Sequence, residues 1–178
     1  VAGFFCLIKI SSSVLLGHKP PKPDFTMKFI LFSLLLLSIN FSVSGQNKQI
    51  VKPRKAPSMP YPFSMGVISN GLLFVSGQVG TDPQTTKLVA GGVEAETAQT
   101  IQNIKAVLED AGASLDDVVS VTVYLSNIDD FAKMNAVYKQ FFNEGSYPAR
   151  TTVGVAKLVF GASVEMTMTA AMPRRRMK

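Results

Sequence analysis

Two ionisable side chains stand apart near the C-terminal end of the sequence. Arg150 sits in YPARTTVGVAK (Tyr147–Lys157), directly after Pro-Ala and at the mouth of a run with strand character. Glu165 is the only acid that follows it. A guanidinium offers a planar fork of N–H donors that suits two-pronged recognition of a carboxylate. A carboxyl group can accept and return protons or orient a water molecule. The rest of the catalytic repertoire is narrow. The single cysteine, Cys6, and the single histidine, His18, both fall within the first 45 residues, which are expected to lie outside the fold. The body is then left without a thiol nucleophile, a Ser-His-Asp triad, paired-histidine chemistry, a disulfide or an ordinary zinc site.

From Met27 the chain reads MKFILFSLLLLSINFSVSGQ, with one lysine, an apolar core from Phe29 to Leu37, and then small and polar residues. This is the plan of a secretory signal peptide over 27–45, with Val43 and Gly45 small enough for cleavage before Gln46. The apolar core is short against the about 20 residues of a membrane span. An exported protein, periplasmic or secreted, is expected; the alternative is an uncleaved anchor. Residues 1–26 start with Val and read as an over-extended gene start, not part of the fold.

Charge divides the remainder. The formal net charge is +6, from 18 Lys and Arg against 12 Asp and Glu. Four of the cations lie in the leader and eight in two tails, a basic linker over 46–55 and a basic tail over 173–178. The body from 56 to 172 keeps six cations and eleven acids, a net charge of −5. A nucleic-acid footprint belongs on the folded face, and here the positive charge sits on the ends.

The body suits one compact α+β domain. Ser69-Asn70-Gly71 is a turn between the apolar runs Met65–Ile68 and Leu72–Ser76, which predicts a hairpin. Gly91-Gly92 leads into a helix with Ile101, Ile104, Leu108 and Ala111 at helical spacing, stopped by Gly112. From 117 to 126, Val119, Val121, Val123 and Leu125 alternate with polar residues, as in a strand with one apolar face. A second helix, capped by Asn127 or Asp129, carries Phe131, Met134, Tyr138 and Phe141 on its inward stripe. Strands over 149–156 and 163–171 close a β-β-α-β-α-β-β order, with both helices on one face of the sheet.

Alternation also predicts where the two ionisable groups point. If Val153 and Val155 meet the helices together with Val164, Met166 and Met168, then Arg150 and Glu165 both project from the helix-free face. That face is polar and small-featured, with few charges, and so is expected to be covered by another subunit.

Six segments together resemble one family: YPFSMGV (Tyr61–Val67), LLFVSGQVGTDP (Leu72–Pro83), IKAVLEDAG (Ile104–Gly112), DFAKMNAVY (Asp130–Tyr138), YPARTTVGVAKL (Tyr147–Leu158) and GASVEM (Gly161–Met166). In order and spacing they are similar to the Rid family (RidA/YjgF, reactive intermediate deaminases). The resemblance implies a chorismate-mutase-like fold, a homotrimer with clefts between subunits, and a cofactor-independent hydrolysis of 2-aminoacrylate-like imines and enamines to 2-keto acids and ammonia. It places the carboxylate-binding arginine at Arg150 and the water-handling glutamate at Glu165. It places cleft-lining positions at Phe63, Ser76, Gly77, Asn135 and around Thr152.

Elementary chemistry fits those roles: a protonated C=N carbon is already electrophilic, so a clamp and a proton carrier suffice. Three positions depart from the family pattern. Phe63 stands where a tyrosine is common, Thr167 where a second late acid is common, and Val159 where a proline follows the Lys-Leu pair. Other readings of the same residues remain open. Arg150 and Glu165 are alternatively structural partners of each other across an interface, and the protein a trimer that binds small carboxylates without turnover. RNA cleavage, a label also attached to this family, is disfavoured by the absent histidines and the acidic body.

Overall fold

A computed structural model describes residues 48–52, 54 and 61–173; the expected leader and the arginine-rich end of the basic tail lie outside them. Six strands, β1 (Gln49–Val51), β2 (Gly66–Ser69), β3 (Leu72–Val79), β4 (Val118–Leu125), β5 (Ala149–Gly154) and β6 (Val164–Ala171), form one sheet in the order β1-β2-β3-β6-β4-β5. Every neighbouring pair is antiparallel except β4 and β5, which run parallel. Two helices, α1 (Gly92–Ala111) and α2 (Phe131–Tyr138), provide the crossovers.

The expected hairpin forms between β2 and β3, with Ser69 opposite Leu72. Asn70 and Gly71 both take positive φ (50° and 75°), the turn geometry that matches strand twist. Helix α1 stops where expected. Gly112 adopts φ 83°, its N–H donates to the Glu109 carbonyl, and the Ala113 N–H donates to Leu108. That pair of bonds satisfies carbonyls that the helix end would leave open. Before α2, the Asn127 side chain accepts from the Asp129 N–H at 3.1 Å and caps a single 3-10 turn, Ile128–Asp130.

The core lies between the sheet and both helices. Ile101, Ile104 and Leu108 of α1 and Met134 and Tyr138 of α2 are buried against Leu73, Val75, Val121, Val123, Met166 and Met168. Each such aliphatic side chain contributes about 1.5–3 kcal/mol on burial.

Several expectations are corrected. The segment 46–55, expected as a linker, supplies β1, an edge strand paired with β2. Val119 is exposed rather than inward, because a register shift between Val118 and Ser120 turns Val118 into the core instead. The alternation of the fifth strand is also the reverse of that expected. In the parallel β4–β5 pairing, Arg150 lies opposite Val121 and Thr152 opposite Val123, both core residues. Paired residues on neighbouring strands point to the same face. Arg150 and Thr152 therefore belong to the helix side, and Val153, opposite Tyr124, to the helix-free face. Strand β5 is the sheet's edge, so its helix-side positions border the flank of α2 and need not be apolar.

Candidate active site

Arg150 is half-buried, with its guanidinium carbon 4.5 Å from the centroid of the Tyr138 ring and 5.9 Å from that of Phe131. Phe131 and Tyr138 are seven residues apart, which brings them to one face of α2. Asn135 falls between them on that face and is half-buried. Thr152, two residues along β5, shares the side of Arg150 and is also half-buried. None of the ion pairs among the described residues includes Arg150. Aromatic stacking, worth about 0.5–2 kcal/mol, holds the cation and leaves its N–H fork open. Burial pushes the Tyr138 phenol up to about 12, with the Arg150 charge acting in the opposite direction.

A second constellation surrounds Glu165 on the helix-free face. Its carboxylate lies against Gly77, so closely that a Cβ at that position would overlap it. Gly77 and Ser76 occupy the bulge where the β3–β6 register shifts between Val75 and Gln78. The bulge is braced from both sides. Ser76 donates its Oγ hydrogen to the Ser64 carbonyl at 2.6 Å, and its N–H bonds the Met65 carbonyl at 3.0 Å. The buried Gln78 amide donates to the carbonyls of Ser76 and Gly77 at 3.1 and 3.0 Å. Glu165 has no ion pair or hydrogen bond among the described residues, and burial raises its carboxyl above the ordinary value. Beside the bulge, one residue before Ser64, Phe63 stacks on Tyr61 at 6.0 Å, and Tyr61 meets Phe160 at 6.4 Å. All three rings are exposed.

The expected residues are thus gathered into two groups rather than one: Arg150, Asn135 and Thr152 beside α2, and Glu165, Ser76, Gly77 and Phe63 around the bulge. Arg150 and Glu165 do not share a face, contrary to the alternation argument. Arg150 pairs with Val121, which pairs with Met168, three residues from Glu165. Strand spacings put the two Cα atoms about 14 Å apart, with the side chains on opposite sides of the sheet. Tyr138 and Phe131 were legible as a helix stripe but not as a platform for Arg150; their spacing of seven was the available signal. The brace from Gln78 had no sequence signal beyond its place in SGQ.

Residues 53–172 match the protein family described as Endoribonuclease L-PSP. A RutC family protein of Pyrococcus abyssi is 46% identical over 123 residues, which are 69% of this chain and 96% of that protein. The 2-iminobutanoate/2-iminopropanoate deaminase of Bos taurus is 41% identical over 128 residues, 72% of this chain and 93% of that protein. The crystal structure of E. coli TdcF with bound serine has a TM-score of 0.66 and 35% identity, covering 70% of this chain and 99% of that one. The chain belongs to this family, the Rid family, and has its α+β fold. Imine deamination is an activity found among its members.

Proposed function

We propose that this chain is a cofactor-independent deaminase of 2-imino and enamine acids, working in clefts where Arg150 of one copy meets Glu165 of another. The observation that carries this reading is the guanidinium of Arg150, stacked on Tyr138 with no carboxylate partner among the described residues. An unpaired, half-buried cation of fixed orientation is suited to a small carboxylate. The deaminase relatives and the serine held by TdcF support an α-amino-acid-like ligand.

Because the two constellations occupy different surfaces of one protomer, joining them requires head-to-tail contact between copies. Such a contact closes into a ring when the rotation permits, here a homotrimer with three clefts. The helix-free face suits burial in that ring: Thr122, Thr151, Thr167 and Thr169 line it, and Glu165 is its one charged strand residue.

In the proposed reaction, Arg150 grips the carboxylate of the iminium acid. Ionised Glu165 takes a proton from water as the oxygen attacks C2, giving a carbinolamine. The same carboxyl then protonates the nitrogen and the C–N bond breaks, releasing ammonia; the hydroxyl proton passes through the regenerated Glu165 carboxylate to that ammonia as the ketone forms. The balance is iminium acid plus water to 2-keto acid plus ammonium. A 2-aminoacrylate enters the same sequence after protonation at C3.

The test is the decay of imines generated in situ by an amino-acid oxidase. Wild-type protein is expected to accelerate it, and Arg150→Ala to reduce kcat/KM by about 10²-fold or more, the value of a lost bidentate charge pair, while the assembly persists. Saturable 2-keto-acid binding without acceleration of any imine would instead identify a binding protein. Residues 27–45 lie outside the described structure, and we read them as an export signal. Mass spectrometry of protein recovered from cells is expected to find an N-terminus at Gln46.

A further inference from the structure

Glu96 is a carboxylate with 6% exposure that the reaction above does not use. It sits near the start of α1, and both its oxygens are engaged. Oε2 accepts from the Ser163 N–H at 2.7 Å, and Oε1 accepts from the Ser163 hydroxyl at 2.8 Å. Ser163 lies two residues before Glu165, immediately ahead of β6. Its carbonyl in turn accepts from the Ser126 N–H at 3.1 Å, tying the same point to the end of β4.

The opposite flank of Glu165 is tied to the same helix. Val79 is the β3 residue paired with Glu165. The Asn103 side chain, seven residues after Glu96, donates to the carbonyls of Val79 and Thr81 at 3.0 and 2.8 Å. Its own oxygen accepts from the Gln99 amide at 2.9 Å. Between these ties, α1 touches the chain directly. A Cβ on Gly80 would stand 2.6 Å from the Glu96 Cα and 2.8 Å from its carbonyl oxygen.

We propose that Glu96 is a positioning residue for Glu165: through Ser163 it sets where β6 begins, and with Asn103 it fixes the Val79–Glu165 pair at the bulge. A buried charge used only for packing would be a poor choice, since apolar residues of similar volume fill a core at lower cost. Two charge-assisted bonds to one residue restrain both the backbone and the side chain at the strand's starting point. The Glu165 carboxylate faces the glycine of the bulge with no hydrogen bond among the described residues, so its place depends on the backbone beneath it. This inference rests on the deaminase reading for its kinetic consequence but not for its structural one.

The experiment uses the full assembly and three variants. Glu96→Ala is expected to lower kcat about 10²-fold, the cost of a misplacement of about 1 Å, with KM changed less than about twofold. Glu96→Gln, which keeps one acceptor toward Ser163, recovers most of that loss. Ser163→Ala keeps the backbone bond to Oε2 and loses only the hydroxyl bond, and is expected to lower kcat about fivefold. A readout independent of turnover is the titration of the Glu165 carboxyl carbon by NMR, with Tyr124, opposite it on β4, the neighbouring titratable group. Ser163→Ala is expected to move that titration. It also keeps the proposal testable if Glu96→Ala does not fold. An unmoved titration and kcat within about twofold of wild type in Ser163→Ala would overturn the positioning role. A wild type inactive on every imine, with a titration that still moves, would overturn the deaminase reading and leave the positioning role supported.

Discussion

Among the described residues, Arg150 is oriented by the faces of two rings rather than by a countercharge, and Glu165 owes its raised proton affinity to burial. These are complementary states of readiness. The cation keeps its donors available, and the acid is closer to neutral pH than an ordinary glutamate. In its proposed role as base Glu165 must be ionised, so the acid limb of the kcat/KM profile is expected to lie above the ordinary glutamate value of 4.5. The same shift has a signature in stability. A carboxyl with a raised folded pKa favours the fold below its unfolded pKa, and that contribution is lost as pH rises through the folded one. Glu165→Gln is therefore expected to raise Tm at pH 7, with the gain fading as pH falls toward about 4. A Tm difference independent of pH between wild type and variant would contradict a desolvated carboxyl at this position.

At the scale of elements, the bulge in β3 decides where Glu165 lies. Gly77 is needed there for space, not for an unusual backbone angle, since its missing Cβ leaves the volume that the carboxylate fills. Gly77→Ala is expected to displace Glu165 and reduce kcat by about 10²-fold, while costing about 1–3 kcal/mol of stability or less because the neighbour is a side chain. Measuring kcat beside Tm separates the two effects. The elements themselves were largely legible. The Asn70-Gly71 turn, the Gly112 stop and the spacing of Ile101, Ile104 and Leu108 each carry a local physical requirement that few other structures meet. The facing of β5 was not legible. Alternation reports two faces but not which one is inward, and an edge strand that overhangs the helix layer places valine outward and arginine inward without an unpaired core position. The strand Gln49–Val51 was missed for a related reason. Three residues among lysines carry no period, and only pairing with β2 makes them a strand. Glu96 gave no signal because its partner is 67 residues away in sequence.

At the scale of the whole molecule, the separation of Arg150 from Glu165 makes a claim about assembly that can be read genetically. Arg150→Ala and Glu165→Gln are each expected to be inactive alone. Co-folded in equal amounts, the two variants would place an intact arginine opposite an intact glutamate in about a quarter of the clefts of the proposed ring, so about a quarter of wild-type activity should return. If both groups served one cleft from the same chain, mixing would restore nothing. The helix-free face, with Glu165 as its one charged strand residue, bears on how such an assembly responds to its surroundings. Rings held by lysine–glutamate pairs come apart as ionic strength rises, because screening weakens them. The half of the contact that this face supplies offers little for salt to screen. If the proposed ring forms, dilution rather than brine is expected to silence it, by releasing chains that each carry only one of the two constellations.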